Sequence, residues 1–185
     1  MSHRIEIVEH DARWADEFAA LASELRAALG ALALAVDHIG STSVPGLAAK
    51  DVIDLQVTVA ALGDDVARAM TAAGFTHRAD VTCDHVPAGA DPVPHDWAKL
   101  YFQAKPGALR AHIHVRVLGA QNQRYALLFR DYLRAHPEAA AALAEIKRQL
   151  AARFPDDADS YYAIKDPVCD VIWYAAREWD AHGRT

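Results

Sequence analysis

The segment HIGSTSVPGLAAKDVIDLQV, residues 38–57, decides how the chain is expected to fold. An apolar run ends at Gly40, whose backbone freedom permits a sharp turn, and a second run of alternating polar and apolar residues follows. The alternation places Asp54, Gln56 and Thr58 on one face of a strand and the apolar side chains on the face toward the core. This stretch therefore predicts two strands joined by a glycine-containing turn.

The patterns on either side of this segment predict an α/β (α+β) fold. A helix with apolar positions at three- and four-residue spacing precedes the segment, beginning after Asp11 and ending near Gly30. Strand and helix patterns then alternate before the chain becomes wholly helical, which predicts a mixed sheet followed by C-terminal helices. The predicted strands are 33–39, 52–59, 75–81, 99–104 and 109–118, the last two forming a hairpin around Pro106 and Gly107, and the later predicted helices are 64–73, 121–135, 137–153 and 160–181.

The composition indicates one globular unit. With 185 residues, of which 52% are apolar and 24% charged, the chain can bury a single core, so we predict one domain over residues 1–185 with a core at about 1–120 and a helical part at about 121–185. A net charge of -6 without a long basic run argues against duplex DNA as a partner. The charged N-terminal residues do not resemble a secretory signal, and no apolar run reaches the roughly 20 residues of a membrane span. We therefore expect a cytoplasmic protein that does not associate with membranes.

The turn at residues 40–43 has the composition of an anion cradle. Gly40 permits close backbone approach, Ser41 can donate to an anion, and free N–H groups at such a turn attract phosphate. Asp54 would then present a carboxylate beside this cradle. A capped turn next to an edge-strand aspartate is the structural alternative, which the spacing alone leaves equally open.

Three separated motifs carry a resemblance to a known family. HIGSTSVPGLAAKDVIDLQV, FRDYLRAHPE at 129–138 and YYAIK at 161–165 together resemble the GrpB family over nearly the whole chain. That family is similar to the DNA polymerase beta-like nucleotidyltransferase superfamily. The resemblance implies a nucleotidyltransferase-like mixed sheet flanked by helices.

The same resemblance implies a set of site residues. Gly40, Ser41 and Ser43 would hold phosphate groups, and Asp54 would be the first metal-binding carboxylate. Gln56 stands where an active member of the superfamily has a second acid. Because two carboxylates hold the two magnesium ions of in-line phosphoryl transfer, the neutral amide puts two-metal catalysis in question.

Alternation along the last predicted strand places four polar residues on one face: Arg110, His112, His114 and Arg116. The resemblance makes this strand the source of the superfamily's third carboxylate, so His112 or His114 would replace the acid. We assign His114 a catalytic role with Asp54, and a metal site to Asp54, His112 and His114. Imidazole ligands favour zinc, manganese or nickel over magnesium, and a protonated histidine could instead contact phosphate directly. A solvated strand face is the alternative.

Two basic residues within the family-like motifs, Arg130 and Lys165, are candidate substrate-binding groups. Arginine can bind two phosphate oxygens at once, and either cation could neutralise charge on an anionic ligand. The structural alternatives are an Arg130–Asp131 pair on a helix surface and a helix-start role for Lys165.

The loop at residues 83–96 contains Cys83, Asp84, His85 and His95 but lacks a zinc-site spacing. We interpret it as a lid over the cradle rather than a metal site. Cys83 and Cys169 are too far apart in sequence for a typical motif and are expected to be reduced thiols.

Three functions follow as hypotheses. The first is a nucleotidyltransferase that uses a divalent cation (magnesium, manganese or zinc) and a nucleotide or other phosphorylated small molecule. The second is a module that keeps the phosphate cradle but has lost turnover, which Gln56 favours. The third is a protein-interaction or folding-accessory domain, suggested by the family's occurrence fused to coenzyme A biosynthetic kinase.

Overall fold

The computed structural model describes residues 4–105 and 107–184 and has a five-stranded mixed sheet at its centre. The strands are β1 Ala35–Ile39, β2 Ile53–Val59, β3 Thr76–His77, β4 Leu100–Gln103 and β5 Ala111–Val117. The helices are α1 Arg13–Leu29, α2 Asp64–Ala72, α3 Pro94–Trp97, α4 Gln121–Ala135, α5 Pro137–Arg153 and α6 Ala158–Ala181. Short 3₁₀ helices follow α1 at Gly30–Leu32 and β1 at Ser41–Ser43.

The strand order is β1-β2-β5-β4-β3, so the two strands with the most polar alternation are central neighbours. β2 runs parallel to β5, whereas the other neighbouring pairs are antiparallel. The parallel register places Asp54 opposite His112 and Gln56 opposite His114. Alternation in each strand therefore brings the two sets of polar side chains to one face of the sheet.

The opposite face of the sheet holds the main apolar core. The inward residues of β2 and β5 pack against α1 and α2, and the buried set includes Trp14, Leu21, Leu25, Leu29, Ile53, Leu55, Val57, Val66, Met70, Ile113 and Val115. In α1 these apolar positions recur at three and four residues, which gives the helix one apolar stripe toward the sheet.

The polar face of the sheet is covered by the C-terminal helices. α4 contacts β1, β2 and β5, and α5 and α6 pack on α4. A second apolar cluster joins the chain after the Ser41–Ser43 turn to α4 and α5 through Val44, Leu47, Phe129, Leu133 and Leu143. The helices therefore bury a sheet face whose side chains are hydrophilic.

The structure confirms the α/β mixed sheet, the hairpin of β4 and β5, and the three C-terminal helices. Pro106, expected in the hairpin loop, lies outside the described residues. The predicted strand 75–81 is wrong in its extent, since β3 contains only Thr76 and His77. The chain leaves the sheet there because residues 78–81 form a turn closed by the Val81 N–H donating to the Arg78 carbonyl at 3.0 Å.

Two smaller features refine the helix assignments. Asp11 does not occupy the cap position itself, but its carboxylate accepts from the Arg13 N–H at 2.9 Å, and Gly30 ends α1 with φ of 52° as expected. The short helix α3 overlaps the end of the segment expected to be a loop. None of the helices in residues 4–105 and 107–184 combines the length and the apolar character that a membrane crossing requires.

Candidate ligand-binding site

The turn after β1 is packed directly on Asp54. Gly40 adopts φ of 67°, a left-handed conformation that favours glycine. A Cβ atom at this position would lie 2.5 Å from Asp54 Oδ2, so any side chain would collide with the carboxylate. The Ser43 hydroxyl donates to the Gly40 carbonyl at 2.6 Å and stabilises the turn from within. The glycine thus serves two needs, the turn and the close approach of the carboxylate.

Asp54 is paired with His112 on the neighbouring strand. The parallel register brings His112 Nδ1 to 3.1 Å from Asp54 Oδ1. Burial opposes ionisation of the carboxyl group, but the hydrogen bond from His112 and the nearby positive charge, including that of Lys50, outweigh it and lower the pKa of Asp54 to about 2. Asp54 is therefore an anion at neutral pH.

His114 lies two residues after His112 on β5, opposite Gln56, and is next to two cations. Its Nδ1 is 3.4 Å from Lys99 Nζ and 3.3 Å from Arg116 Nη2. Burial, together with the charges of Arg116 and Lys99, lowers the pKa of His114 well below its usual value. His114 is therefore neutral at physiological pH and can accept a hydrogen bond.

Asp84 anchors these cations from the loop that follows β3. It accepts from Lys99 Nζ at 2.6 Å and from Arg116 Nε at 2.8 Å. Burial opposes its ionisation, but Arg116 and Lys99 hold the pKa of the Asp84 carboxyl far below its usual range. The loop is tied to the sheet by buried charge pairs.

Gln56, at the position of the expected second acid, is fully buried and already engaged. Its Oε1 accepts from Arg116 Nη1 at 2.7 Å, and its Nε2 donates to the Gln123 carbonyl at 3.2 Å. The amide oxygen therefore faces a guanidinium group of the protein rather than an open coordination position.

Helices α5 and α6 bring two lysines to the turn. Lys147 is 3% exposed, and its Nζ donates to the Ser41 hydroxyl at 2.9 Å. Burial lowers the pKa of Lys147 to about 7. Lys165 donates to Asp166 at 2.9 Å; burial works against its ammonium, but Cys169 and Asp166 outweigh that effect and raise its pKa.

Two neighbouring cavities form a cleft between the sheet and these helices. The first, of about 270 Å³, extends from the Gly40–Ser41 turn to the loop residues Asp84 and Trp97. The second, of about 250 Å³, is lined by Lys50, Tyr162 and His112. Five residues line both cavities: Ser41, Asp54, His114, Lys147 and Lys165. A ligand placed here would meet one carboxylate, a serine, an imidazole and two lysines.

Most of the predicted site residues meet in this cleft. Ser41, Asp54, His114 and Lys165 line both cavities, while Gly40 lines the first and His112 lines the second.

Ser43 and Arg130 differ from this expectation in their placement. Ser43 points into its own turn. Arg130 donates to the His38 carbonyl at 3.1 Å and to Asp131 at 2.8 Å, which is the pairing that the sequence offered as its structural alternative. Neither residue is in the lining of the two cavities. Both side chains instead hold elements of the cleft in position, the turn in one case and the contact of α4 with β1 in the other.

The residues of the cleft do not fit a pair of magnesium ions. Asp54 supplies one carboxylate, Gln56 is bonded to Arg116, and the nearby imidazoles are softer ligands than magnesium prefers. Within the described part of the chain, no group of three or more His, Cys, Asp or Glu side chains is placed to hold a metal ion. The metal site expected at Asp54, His112 and His114 is present only as the Asp54–His112 pair beside His114.

Sequence reasoning missed Lys147. The residue lies on the buried stripe of α5 with Leu143, Ala144 and Leu150, at spacings of three and four residues. A lysine in a stripe of apolar residues is unusual, because a buried ammonium must be compensated. This lysine among apolar residues was the feature of the sequence that could have identified it as a site residue.

The loop at residues 83–96 contributes to the cleft instead of forming a metal site. Asp84 and His85 line the first cavity, and His85 Nε2 lies 2.8 Å from Asp170 Oδ2 on α6. Cys83 is exposed, and both cysteines are free thiols. The loop therefore walls part of the cavity, where Asp84 and His85 anchor it, and its role as a lid over the cradle stays a prediction.

The comparisons with known proteins cover nearly the whole chain. A model of the family described as GrpB protein matches residues 4–174. A protein named Dephospho-CoA kinase from Mycolicibacterium paratuberculosis is 35% identical over 95% of this chain and 46% of its own length. UPF0157 protein YqkA from Bacillus subtilis is 33% identical over 95% and 48%, and UPF0157 protein SCO7215 from Streptomyces coelicolor is 36% identical over 91% and 82%. The chain thus spans a little under half the length of the first two relatives.

Solved structures agree with this picture of the fold. The crystal structure of the conserved protein GrpB from Enterococcus faecalis matches with a TM-score of 0.77 and 29% identity, over 94% of this chain and 99% of that one. The Cid1 poly(U) polymerase, crystallised with Mg 3′-dATP bound, matches with a TM-score of 0.50 and 15% identity, over 80% and 44%. At that identity the likeness concerns the fold alone, and it confirms the nucleotidyltransferase-like architecture.

Proposed function

This chain belongs to the GrpB family, and we propose that it binds a nucleotide or another phosphorylated small molecule in the cleft between the Gly40–Ser43 turn and helices α5 and α6. The phosphate groups would lie against Ser41, Lys147 and Lys165. Asp54 and His114 would contact the part of the ligand next to them.

The buried amino group of Lys147 carries this proposal. Its hydrogen-bond partner is the Ser41 hydroxyl rather than a carboxylate, although the residue is 3% exposed. Burying a charged ammonium beside a neutral partner is unfavourable, and the lowered pKa of Lys147, about 7, reflects that cost. A bound phosphate would supply the missing negative charge, so the site is built for an anion.

The surrounding charges support a phosphate over a simple carboxylate ligand. Lys165 and Lys50 also line the second cavity, so three lysines face the same space. Lys50 donates to the Tyr162 hydroxyl and lies 4.8 Å from the centre of that ring. A ligand with several negative charges would interact with all three cations at once.

Nucleotidyl transfer is the second candidate, favoured by the ionised Asp54 beside the phosphate turn. A two-metal transfer has no support in the cleft, because its residues do not fit a pair of magnesium ions. A single cation held by the Asp54–His112 pair, without His114 as a third ligand, is a separate proposal, which a metal titration can test. The kinase name of several relatives belongs to proteins about twice this length and is not extended to this chain.

The test is calorimetric and thermal titration of the protein with nucleoside triphosphates, alone and with magnesium, manganese or zinc. At 100 times the dissociation constant, a ligand should raise the free energy of unfolding by roughly 2.7 kcal/mol. The variants Lys147→Met and Ser41→Ala should lose most of this stabilisation. Lys105→Met is the matched control, since Lys105 is outside both cavities and pairs with Glu24 at 2.7 Å. No stabilisation by any triphosphate, with or without metal, would favour the interaction-domain hypothesis. Release of pyrophosphate would support transfer.

A further inference from the structure

Ser41 and Lys147 form an isolated polar pair in the cleft. The Ser41 hydroxyl lies 2.9 Å from Lys147 Nζ, and within residues 4–105 and 107–184 neither side chain has another hydrogen-bond partner. Lys147 is buried behind the pair, whereas Ser41 is half-buried and lines both cavities. The serine hydroxyl is therefore the member of the pair that a small molecule in the cleft can reach.

The fold places Ser41 at a position that suits a nucleophile. β1 ends at Ile39, and Gly40 turns the chain sharply with φ of 67°, so Ser41 directly follows a strand and a tight turn. Nucleophilic serines on strand–turn–helix elbows hold the same position, because the turn exposes the hydroxyl at the end of the sheet. The residues around Ser41 do not form the G-x-S-x-G sequence of those elbows, so the likeness concerns the placement of the hydroxyl.

Lys147 has the protonation state that a general base needs. Burial lowers its pKa to about 7, so above this pH the amine is mostly neutral when no phosphate is bound. The other titratable groups that act on it are Cys169, Lys165, Asp54 and Lys50. The lone pair of a neutral amine can accept the Ser41 proton across the 2.9 Å that separates the two groups. A serine paired with a lysine base is one of the known variants of the serine–histidine arrangement.

The first cavity offers Ser41 an apolar space and a cation. Its volume of about 270 Å³ has room for a short acyl chain, and its apolar lining includes Ile39, Phe129 and Leu143. Lys165 also lines this cavity, and because Cys169 and Asp166 raise its pKa, it stays charged. A fixed positive charge of this kind stabilises the oxyanion that develops during attack on a carbonyl group.

We propose that Ser41 is a nucleophile toward carboxylic esters with a short apolar acyl group, and that Lys147 is its general base. Ser41 Oγ attacks the carbonyl carbon while its proton passes to Lys147 Nζ, and Lys147 returns this proton to the departing alkoxide. Water then attacks the acyl-serine and gives a proton to Lys147, which passes it to Ser41 Oγ as the carboxylic acid is released. This activity goes beyond phosphate binding and does not rest on it. A bound phosphate would protonate Lys147 and stop the reaction.

The experiment treats the protein with two probes of different size, without nucleotide. A fluorophosphonate forms an Oγ–P bond and releases fluoride, and the smaller p-nitrophenyl acetate acetylates the serine and releases nitrophenolate. Peptide mass spectrometry should locate both adducts on Ser41 in the parent and find none there in Ser41→Ala. In Lys147→Met the labelling rate should fall about 100-fold or more, which is the usual contribution of a general base. Lys105→Met should match the parent, because Lys105 pairs with Glu24 outside both cavities.

A second variant and a pH profile separate a base from a lysine that only holds the turn in place. Lys147→Arg can still donate a hydrogen bond to Ser41, but a guanidinium group stays charged and cannot accept the proton. We therefore expect Lys147→Arg to be as unreactive as Lys147→Met. In the parent, the labelling rate should rise with pH around 7 as Lys147 loses its proton, and Lys147→Arg should lack this inflection.

The outcomes separate this activity from the proposed function. Absence of a Ser41 adduct with both probes would overturn the activity, even if the protein binds ATP. Equal labelling rates in the parent and in both Lys147 variants would overturn the role of the lysine as base. Labelling of Ser41 in a protein that binds no phosphorylated ligand would support the activity and contradict the proposed function. If both hold, saturating ATP should suppress the labelling of Ser41, and unchanged labelling with ATP bound would contradict the shared use of Lys147.

Discussion

The two faces of strands β2 and β5 are both covered by helices but are chemically opposite. On one face, Leu55 and Ile113 pack into the apolar core beneath α1 and α2. On the other, Gln56 and Arg116 are just as inaccessible, yet they lie under the C-terminal helices and bond to each other. The apolar face needs only shape complementarity, whereas each group on the polar face needs a partner of its own.

This difference shows which part of the sheet carries function. Stability can be supplied by the apolar face alone, so the cost of burying a polar face is expected to serve something else. Every unusual group near the cleft lies on that side: the ionised Asp54, the neutral His114 and the lysine with a pKa of about 7. Four changes test the contrast, and they are given in order of expected effect.

Truncating the apolar face should have the largest effect on stability. Leu55→Ala removes a fully buried side chain and leaves a cavity, which should lower the free energy of unfolding by about 2 to 5 kcal/mol. Ligand-induced stabilisation should be kept, because the cleft lies on the other face. Urea denaturation measures the loss, and Leu118→Ala, at a position 62% exposed, should change stability by less than about 0.5 kcal/mol. If Leu55→Ala lowered the free energy of unfolding as little as Leu118→Ala, the apolar face would not be the main source of stability.

Replacing Lys147 over the polar face should raise the free energy of unfolding near pH 6, whereas Leu55→Ala lowers it. The unfolded chain binds a proton at Lys147 below pH 10.5, while the folded protein does so only below about pH 7. Between these values the parent therefore loses stability as pH falls, by roughly 1.4 kcal/mol per pH unit at most. Lys147→Met lacks this titration, so it should be more stable than the parent near pH 6 and lose that advantage toward pH 10. Parallel urea titrations from pH 6 to 10 measure the difference, and a pH-independent difference would show that Lys147 titrates normally.

Changing Gln56 to an acid should have a moderate effect. In Gln56→Glu one carboxylate oxygen can keep the bond from Arg116, but the donor to the Gln123 carbonyl is lost, at a cost of about 1 kcal/mol. Because Arg116 already neutralises the new acid, we expect no greater stabilisation by magnesium than in the parent. Melting curves with and without metal check this. Added metal stabilisation in Gln56→Glu would show that residue 56 can share a cation with Asp54.

The smallest expected effect at neutral pH concerns His38 in β1, whose contribution emerges only in acid. Its ring stacks on Phe18 at 4.7 Å, and Nε2 lies 3.0 Å from the Thr42 hydroxyl. Burial lowers its pKa from 6.5 to about 4, so the unfolded chain takes up the proton first and stability falls as pH drops from 6.5 to 4. His38→Phe keeps the stacking and should show a shallower decline over this range in chemical denaturation. An identical decline would assign the acid sensitivity to other groups.

The apolar face of the sheet could be predicted from the sequence more completely than the polar face. Alternation around Asp54 and His114 gave both strands and their polar sides, because side chains in a strand alternate by geometry. Alternation does not show whether the polar side faces solvent or is buried under other elements. That depends on helices that begin more than sixty residues after Asp54, and pairings such as Lys147 with Ser41 arise only from their packing. Local motifs therefore located the cleft, while its charge balance required the tertiary structure.

The central claim is that the cleft is a phosphate site built around Lys147. Proton uptake on ligand binding tests this claim most directly. At pH 8 the phosphates of ATP are ionised, since their last pKa lies near 6, whereas Lys147 with a pKa of about 7 is mostly neutral. Titration calorimetry of ATP binding in buffers of different ionisation enthalpy should show uptake of close to one proton in the parent protein. It should show none in Lys147→Met, and Lys105→Met should match the parent. Binding of ATP without proton uptake, or the same uptake in Lys147→Met, would contradict the assignment of this lysine to the phosphate.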